Sequence, residues 1–304
     1  MKQKIARTIA VRETRFENKR LTALGIEPID LSDLRAKVSK EVMARPERLD
    51  FYILMLVTSG RATHTVDFVN WPLSTGTILF IRPGQVQQWH LHEDFSAHLV
   101  LIDPTVLPGS DTLSKSREGE LLSLFEWHTC TQLPEQVSMD IAESMQRLQR
   151  DFTSFDNSAM DISLISHELL ALLFRLGRWQ RGLANNTNTT PRSMQTYHSF
   201  RRELETSFHK QHSLKYYAKR LGYAESTISR ACIAAEGRSA KLVIDRRIAL
   251  EGQRMLVHSV SSVAEIGHYL GFSEPTNFVK FFRRMTNTTP TEFRKERSVL
   301  GNAE

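Results

Sequence analysis

Short apolar runs separated by turn-forming residues dominate the stretch from residue 51 to residue 103. Runs that are rich in β-branched and aromatic residues, spaced about 10 positions apart and divided by Gly or Pro, are typical of a small β-sandwich or barrel. The segment Thr58-Ser59-Gly60 has no apolar residue, so we expect it to turn the chain and end the first strand. The predicted strands cover residues 51–57, 62–68, 77–82, 87–92 and 98–102.

Helical periodicity replaces this pattern at residues 136–152 and again at residues 160–180. Apolar residues in the second helix recur every three or four positions, which is the spacing of one helix face. That face is wide enough to cover both the barrel and a helix of a second subunit, but it is equally typical of packing within one domain. Its members are Ile162, Ile165, Leu169, Leu172, Leu173 and Leu176.

A polar stretch rich in Asn and Thr, at residues 183–194, separates two differently patterned parts of the chain. It has neither helical nor strand periodicity, and it contains Pro191, so we predict a linker. The predicted organisation is a first domain at 1–182, the linker, a second domain at 195–297 and a tail at 298–304. The helices predicted after the linker cover residues 195–209, 213–221, 225–236, 239–256, 261–270, 275–285 and 290–297.

Length and composition agree with two globular domains, because a chain of 304 residues is long enough for two hydrophobic cores. The longest uninterrupted apolar run, at residues 51–57, is far shorter than the roughly 20 residues that cross a bilayer. No apolar segment follows the basic start, so neither a secretory signal nor a membrane partner is expected. Two cysteines, Cys130 and Cys232, are too few for a disulfide framework, and a cytoplasmic location is expected.

Positive charge is concentrated in the last third of the chain. Up to Thr190 there are 21 Lys and Arg against 23 Asp and Glu, whereas from Pro191 to Glu304 there are 19 against 11. A basic excess confined to one domain is typical of a protein that meets a polyanion, although a solvated charged face produces the same count. The charge alone therefore only suggests nucleic acid as a partner.

A helix, a glycine turn and a second helix occur twice in the basic domain. In each copy a glycine, Gly222 or Gly271, ends the first helix in a left-handed conformation that other residues adopt only with strain. An apolar residue of the second helix, Ile228 or Phe278, then points back at a small residue of the first helix. Two such helix-turn-helix units in a basic domain predict DNA binding, with each second helix in the major groove. The small residues are Ala218 and Gly267.

The helix between the two units sets their separation. Residues 240–256 rise about 24 Å at 1.5 Å per residue. Together with the width of the units, this length allows the two recognition helices to enter successive major grooves about 34 Å apart on one face of the DNA. One chain would then read a long asymmetric site without the symmetry of a dimer.

These motifs resemble the DNA-binding domain of AraC/XylS-type transcription regulators, over residues 195–297. Residues 50–103 resemble the cupin-like barrel of the same family less strongly, through 63–68 and 80–85. The resemblance implies an α+β protein with an N-terminal cupin-like β-barrel, a helical dimerisation segment, and a C-terminal all-α domain with two helix-turn-helix units. The segments that carry it in the C-terminal domain are 214–230, 237–239, Arg247, 263–280 and 289–294.

The same resemblance implies a set of partners. They are double-stranded promoter DNA, RNA polymerase, a second copy of the chain in a homodimer, and a small-molecule effector of unknown identity bound in the barrel. We expect an activator with no enzyme activity and no cofactor.

Three residues depart from the family's usual pattern. Asn287 stands where a glycine usually precedes the Thr-Pro motif, and asparagine tolerates the same left-handed conformation. Gly252 and Gly267 stand where alanine is usual, and Gly252 is expected to cost the connecting helix about 1 kcal/mol. These changes are expected to lower the rigidity of the domain and to leave its fold intact.

Residues of the recognition helices that flank Ile228 and Phe278 are the candidates for reading bases. Arg230 is expected to bond guanine O6 and N7, which is worth about 1–3 kcal/mol of discrimination, and Asn277 fits either adenine or a phosphate. For Arg230 and Lys280 a phosphate contact or a solvated surface is the alternative. The base-reading candidates are Ser226, Thr227, Ser229, Arg230, Thr276, Asn277 and Lys280. The phosphate candidates are Lys215, Lys219, Arg283 and Arg284.

Inside the predicted barrel, Tyr52, His64 and Trp89 are the candidates for holding a small polar effector. A mostly apolar pocket with a few polar anchors suits such a ligand, but ordinary core roles fit these residues equally well. An N-terminal arm that closes the pocket is a further expectation taken from the family. The arm would carry Arg7, Arg12 and Arg15.

No metal is expected in the barrel. His90, His92 and Glu93, with His64 or His98, are the nearest approach to a ligand set, and they fall short of what a cupin metal site needs. Three other functions stay open. They are a cupin metalloenzyme tethered to DNA, a DNA-repair alkyltransferase with an activated cysteine, and a ligand-independent regulator controlled by a protein partner through the second N-terminal helix.

Overall fold

The computed structural model describes residues 12–14, 24–90, 94–107, 122, 124, 127–184 and 191–300, with the backbone alone described at 12–14, 181–184, 191, 258 and 297–300. The chain divides into two compact units, and the boundary falls between Asn186 and Thr187. The N-terminal unit combines strands with two long helices, and the C-terminal unit is helical. This is the α+β class that the sequence predicts.

The described part of the N-terminal unit contains nine strands and four α-helices. The strands are β1 (Arg12–Thr14), β2 (Ile26–Asp30), β3 (Glu47–Leu49), β4 (Tyr52–Val66), β5 (Val69–Ser74), β6 (Thr77–Ile81), β7 (Val86–Trp89), β8 (Phe95–Ile102) and β9 (Cys130–Gln132). The helices are α1 (Leu31–Lys37), α2 (Lys40–Met43), α3 (Glu135–Thr153) and α4 (Ala159–Ala184), and a short 3-10 helix covers Pro104–Val106.

Strand β4 belongs to two sheets. Its first half lies in an antiparallel sheet of order β2-β8-β4-β6-β9. Its second half lies in a sheet of order β5-β4-β7-β3-β1, in which only β1 and β3 are parallel. Within the described residues, no ladder joins the outer strands of one sheet to those of the other. The predicted cupin-like barrel is therefore open.

The turn predicted at Thr58-Ser59-Gly60 is wrong, because β4 runs through this segment as one strand of 15 residues. The register with β8 shifts between Val57 and Ser59, which marks a β-bulge. Gly60 has a φ of +81°, and a Cβ there would lie 2.3 Å from the carbonyl oxygen of Asp94. The bulge and this glycine bend the strand from one sheet into the other without ending it.

A β-hairpin that the sequence pattern did not predict follows β4. Asp67 and Phe68 connect β4 to β5 with positive φ values of 47° and 68°, as in a type I′ turn. Pro72 lies within β5, opposite Thr63 of β4. Because β5 pairs only with β4 and forms the edge of its sheet, the missing N–H of the proline is tolerated there.

Large apolar side chains line the space between the two sheets. Ile53, Met55 and Val57 contribute from the first half of β4, and Val66 and Trp89 contribute from the second sheet. All five are buried. The interior of the open barrel is therefore the first hydrophobic core of the N-terminal unit.

Helices α3 and α4 cover the outer face of the first sheet and form a second core with it. Leu54 and Leu56 of β4 and Phe80 of β6 point toward these helices. The apolar face predicted on α4 is buried within this layer, so it is used inside its own domain and is not free for a second subunit. The fully buried members of that face are Ile165, Leu169, Leu172, Leu173 and Leu176.

Seven helices form the described part of the C-terminal unit. They are α5 (Pro191–Ser207), α6 (Leu214–Leu221), α7 (Glu225–Glu236), α8 (Ala240–His258), α9 (Val263–Tyr269), α10 (Pro275–Thr286) and α11 (Pro290–Leu300). No helix in the described part of the chain is both long and apolar enough to cross a bilayer.

The predicted linker at 183–194 overlaps the helices on both sides of it. Helix α4 continues to Ala184, and α5 begins at Pro191 because proline is well suited to the first position of a helix. Residues 185–190 lie outside the described residues, as do Arg7 and Arg15 of the predicted arm and residues 301–304 of the predicted tail. Only the backbone of Arg12 is described.

Candidate DNA-binding surface and effector region

In the first helix-turn-helix unit, α6 ends at a left-handed glycine and α7 packs across it. Gly222 has a φ of 72°, and its N–H donates to the carbonyl oxygen of Ala218. Ile228 of α7 and Tyr217 of α6 are fully buried. The Tyr217 hydroxyl donates to the carbonyl oxygen of Gln211 at 2.7 Å, which fixes the ring. The opposite face of α7 points away from this core.

The second unit repeats this geometry with a more crowded turn. Ser262 and Glu265 form a capping box at the start of α9, which satisfies two backbone N–H groups there. Gly271 has a φ of +82°, and a Cβ there would lie 2.8 Å from the carbonyl oxygen of His209. A Cβ at Gly222 would meet nothing within 4 Å. Position 271 therefore requires glycine both because φ is positive and because the backbone of His209 lies so close.

The two glycines that depart from the family pattern make room for Phe278. A Cβ at Gly267 would lie 3.1 Å from Cβ of Phe278, and one at Gly252 would lie 3.3 Å from its ring. Phe278 is fully buried. In the first unit the core residue is the smaller Ile228, and Ala218 stands in place of Gly267. The larger core residue thus accounts for both glycines, which the sequence alone presents as a loss of rigidity.

Recognition helix α7 presents one continuous face away from its core. A helix turns by about 100° per residue, so positions four and seven apart share a face. Ser226, Arg230 and Ile233 occupy the centre of this face and are exposed. The predicted residues Ser229 and Thr227 flank the centre and are half-buried. The buried face opposite contains Ile228, Ala231 and Cys232.

Recognition helix α10 presents the equivalent face with different chemistry. Thr276, Lys280 and Arg283 are exposed at its centre, and Asn277 is exposed at its side. The Thr276 hydroxyl donates to the Glu274 carboxylate at 3.3 Å. The structure thus brings the predicted base-reading residues to the outer faces of the two recognition helices, and it adds Ile233 and Arg283 to the centres of those faces.

The predicted phosphate-binding cations differ in whether they form an ion pair within the protein. Lys215 and Lys219 of α6 are exposed, and neither forms an ion pair within the described part of the chain. Arg284 instead has Nη2 at 3.3 Å from Oδ2 of Asp245 on α8, and its guanidinium lies over the Phe281 ring. Arg284 therefore contributes to the contact between α10 and α8 as well as to the surface.

The connecting helix α8 carries a buried ion network that is not among the features predicted from the sequence. Glu251 is 3% exposed and lies 3.1 Å from Nη1 of Arg247 and 3.2 Å from Nη1 of Arg254. Arg247 also bonds Glu205 of α5 at 2.8 Å and covers the ring of Phe208. Because buried charges are stable only when paired, these contacts fix α5 against α8. The spacing of Arg247 and Glu251, four residues apart on one helix, could have predicted the pair.

The loop after α5 joins the two helix-turn-helix units. His212 Nε2 donates to the carbonyl oxygen of Leu270 at 2.6 Å, and its ring packs on Phe272. Lys241 of α8 donates to the carbonyl oxygen of His212 at 3.1 Å and pairs with Asp245 at 2.7 Å. Burial lowers the pKa of His212, so the ring stays neutral near pH 7. These contacts hold the two recognition helices in one relative orientation.

The structure separates the three predicted effector residues. Tyr52 stacks on Phe80 on the outer face of the first sheet, under α3 and α4. His64 and Trp89 lie on the inner side, with ring centroids 4.6 Å apart. The bulge in β4 inserts one residue between Tyr52 and His64, and this moves the later side chains to the other face. Tyr52 is therefore a residue of the outer core.

His64 is enclosed in the N-terminal unit and only partly hydrogen-bonded. Its Nε2 lies 2.9 Å from Oε1 of Gln87, whose Nε2 donates to Glu47 at 2.6 Å. Burial lowers the pKa of His64 to about 4, so the ring is neutral. Nδ1 of His64 and Nε1 of Trp71 are buried without a hydrogen-bond partner, and the two residues lie opposite each other on the β4–β5 ladder. Cross-strand partners share a face of the sheet, so an unused acceptor and an unused donor lie on one side of it.

A cleft of about 530 Å³ lies between α3 and α4, outside the sandwich. Arg147 bonds Glu143 at 3.1 Å and Arg175 bonds Ser144 Oγ at 3.2 Å, whereas Arg178 has no ion pair within the described residues. A volume of this size fits a small ligand. The cleft is lined by Val137, Asp140, Ile141, Glu143, Ser144, Arg147, Arg175, Arg178 and Trp179.

The histidines considered for a metal have other partners. His90 hydrogen-bonds the Thr65 hydroxyl at 2.8 Å, and His98 pairs with Asp30 at 2.5 Å. His92 and Glu93 lie outside the described residues. Across the described ranges, no three His, Cys, Asp or Glu side chains converge on a metal-sized site.

The two cysteines lack the activation that an alkyltransferase needs. Burial raises the pKa of Cys130 to about 11 and that of Cys232 to about 12. The reactive form of cysteine is the thiolate, which is scarce near pH 7 at such pKa values. The structure gives the alkyltransferase hypothesis no support.

Comparison with known proteins adds two families and several relatives. A helix-turn-helix domain family matches residues 217–296, and an AraC-like ligand binding domain family matches residues 30–173. The HTH-type transcriptional activator RhaS of Salmonella schwarzengrund is 23% identical over 259 residues, which are 83% of this chain and 87% of that protein.

Two solved structures are also similar. The structure of ToxT from Vibrio cholerae with a bound unsaturated fatty acid aligns over 81% of this chain and 87% of that chain, with 10% identity and a TM-score of 0.41. The DNA-binding domain of AdpA in complex with a target DNA aligns over 33% of this chain and 90% of that chain, with 25% identity and a TM-score of 0.30.

Proposed function

Because the chain belongs to the AraC/XylS family of transcription regulators, we propose that it is an activator that reads promoter DNA with α7 and α10. The observation that carries this proposal is the pair of recognition helices, each with an exposed face, fixed to one connecting helix. RhaS is named a transcriptional activator, which supports the same direction of regulation here. The proposed partners are promoter DNA, RNA polymerase and a second copy of the chain, in the cytoplasm.

Arg230 and Lys280 hold equivalent positions at the centres of the two faces, and we assign them the main base contacts. Arginine and lysine both bond guanine O6 and N7 in the major groove. The central position of Arg283 favours a base contact over the phosphate contact first expected. Flanking roles go to Ser226, Thr227, Ser229, Thr276 and Asn277, and phosphate contacts go to Lys215 and Lys219.

The effector is proposed to bind inside the open barrel, next to His64 and Trp89. A hydroxyl group placed between His64 Nδ1 and Trp71 Nε1 would donate to the first and accept from the second. The pKa of His64, about 4, favours a neutral effector because the ring offers no positive charge. Regulation then requires that the effector bind one arrangement of the protein more tightly than another. The cleft between α3 and α4 is the alternative location.

Capture of sheared genomic DNA by the purified full-length chain, followed by sequencing, tests the DNA-reading proposal. We expect the wild-type chain to enrich a few promoter fragments. In the Arg230→Ala/Lys280→Ala variant we expect this enrichment to fall at least tenfold, because each base contact is worth about 1–3 kcal/mol of discrimination.

Lys215→Ala/Lys219→Ala is the matched control, since it removes the same number of positive charges from α6. This variant should enrich the same fragments more weakly and with a smaller salt dependence, because phosphate contacts are nonspecific. Uniform binding by the wild-type chain, unchanged in Arg230→Ala/Lys280→Ala, would contradict the proposal.

A further inference from the structure

Ile233 is an exposed aliphatic residue at the centre of the DNA-facing side of α7. It is 54% exposed, although isoleucine is among the residues most often buried. It lies three positions after Arg230 and seven after Ser226, so the three side chains form one stripe along the helix. The buried residues Ile228 and Cys232 lie on the opposite side of α7. Ile233 is therefore not a core residue of the helix-turn-helix unit.

The second helix-turn-helix unit shows that the fold does not require an apolar residue at this position. With Ile228 and Phe278 aligned as the core residues, Ile233 is equivalent to Arg283 of α10, which is also exposed. The same place in the same fold thus holds a cation in one unit and a branched aliphatic side chain in the other. The difference changes only the surface that each unit offers to its half-site.

We infer that Ile233 reads a thymine by packing on its C5-methyl group in the major groove. The thymine methyl is the apolar feature that base pairs present in that groove, and apolar side chains recognise it. The inference rests on the proposed function, because it requires α7 to lie in the groove. Three residues rise about 4.5 Å along a helix, and base pairs are stacked about 3.4 Å apart. The thymine therefore lies one or two base pairs from the base that Arg230 contacts.

Replacing thymines of a captured site by deoxyuracil, one at a time, tests this inference because uracil lacks only the methyl group. The half-site of α7 is the one whose binding is lost in Arg230→Ala. At one thymine of this half-site, we expect uracil to weaken binding by the wild-type chain three- to fivefold, which is about the effect of one buried methyl group. Ile233→Ala should bind the thymine and uracil forms of that site equally well.

Leu242→Ala is the control, because it truncates an exposed aliphatic residue of the connecting helix α8, outside the recognition helices. It should keep the full preference for thymine, and uracil in the half-site of α10 should affect wild type and Ile233→Ala alike. The inference is overturned if the chain binds a specific site and no thymine-to-uracil replacement in the half-site of α7 weakens that binding. An Ile233→Ala variant that keeps the thymine preference also overturns it. The absence of any specific site overturns both this inference and the proposed function.

Discussion

Phe278→Ala is expected to cost the C-terminal unit about 3–5 kcal/mol of unfolding free energy, which is the usual effect of removing a fully buried aromatic side chain. The ring fills the space that Gly252 and Gly267 leave open, so its loss creates a cavity where α8, α9 and α10 meet. Hydrogen exchange of the full-length chain, measured on peptides from α9 and α10, should show strongly accelerated exchange there. Val260→Ala, at a residue that is 89% exposed, should leave exchange unchanged.

A double-mutant cycle tests the explanation of Gly252. Gly252→Ala should destabilise the wild-type C-terminal unit, because the new Cβ would lie 3.3 Å from the ring of Phe278. In a Phe278→Leu background the same change should cost less, because leucine lacks the outer ring atoms that the new Cβ would approach, so the helix preference of alanine, about 1 kcal/mol over glycine, offsets more of the strain. Equal costs of Gly252→Ala in both backgrounds would contradict the proposed link between this glycine and Phe278.

His64 is expected to make the stability of the N-terminal unit fall as the medium becomes acidic. Its pKa is about 4 in the folded chain and about 6.5 in the unfolded chain, so the unfolded state binds the extra proton between these values. The stability contribution is fully present above pH 6.5 and is lost progressively toward pH 4. The loss amounts to about 3 kcal/mol for a shift of this size.

Thermal unfolding of the full-length chain between pH 7 and pH 4 measures this loss. His64→Gln removes the titrating ring and should flatten the pH dependence by about that amount. His167→Gln changes an exposed histidine of α4 and should follow the wild-type curve. If the stability of His64→Gln falls with pH as steeply as that of the wild-type chain, His64 is not buried in its neutral form.

The helix-turn-helix units were predictable because each depends on local features. Gly222 and Gly271 end helices in a left-handed conformation, and Ile228 and Phe278 then fall on the inner face. The structure confirms these predictions. Periodicity also located α3 and α4, whose apolar faces are wide and regular.

The N-terminal sheets were less predictable because their key features are not periodic. The bulge at Val57–Ser59 shifts the alternation of β4 by one residue, so Tyr52, which is predicted to lie inside the barrel with His64, lies on the opposite face. Pro72 obscured β5, since proline usually argues against a strand. The pattern of apolar residues does not indicate where a strand has an inserted residue. The bulge is identified from the register between β4 and β8.

The recognition faces were partly predictable. Polar and cationic residues near Ile228 and Phe278 are predicted from the sequence to read bases, and the structure places Arg230 and Lys280 at the centres of the faces. Ile233 is not among the predicted residues, because an aliphatic residue in a helix suggests a core position. The spacing of Arg247 and Glu251 on α8 indicates their pairing, whereas the pairing of Arg247 with Glu205 of α5 depends on how the two helices pack and could not be predicted.

Methylation interference on a captured promoter site distinguishes a chain that reads two successive major grooves from a chain that reads one. Guanine N7 methylation blocks the major-groove acceptor that arginine and lysine bond. We expect two clusters of interfering guanines, one helical turn apart on the same face of the DNA. Arg230→Ala should abolish one cluster and Lys280→Ala the other. A single cluster, or two clusters that both persist in both variants, would contradict the claim that α7 and α10 each read a half-site.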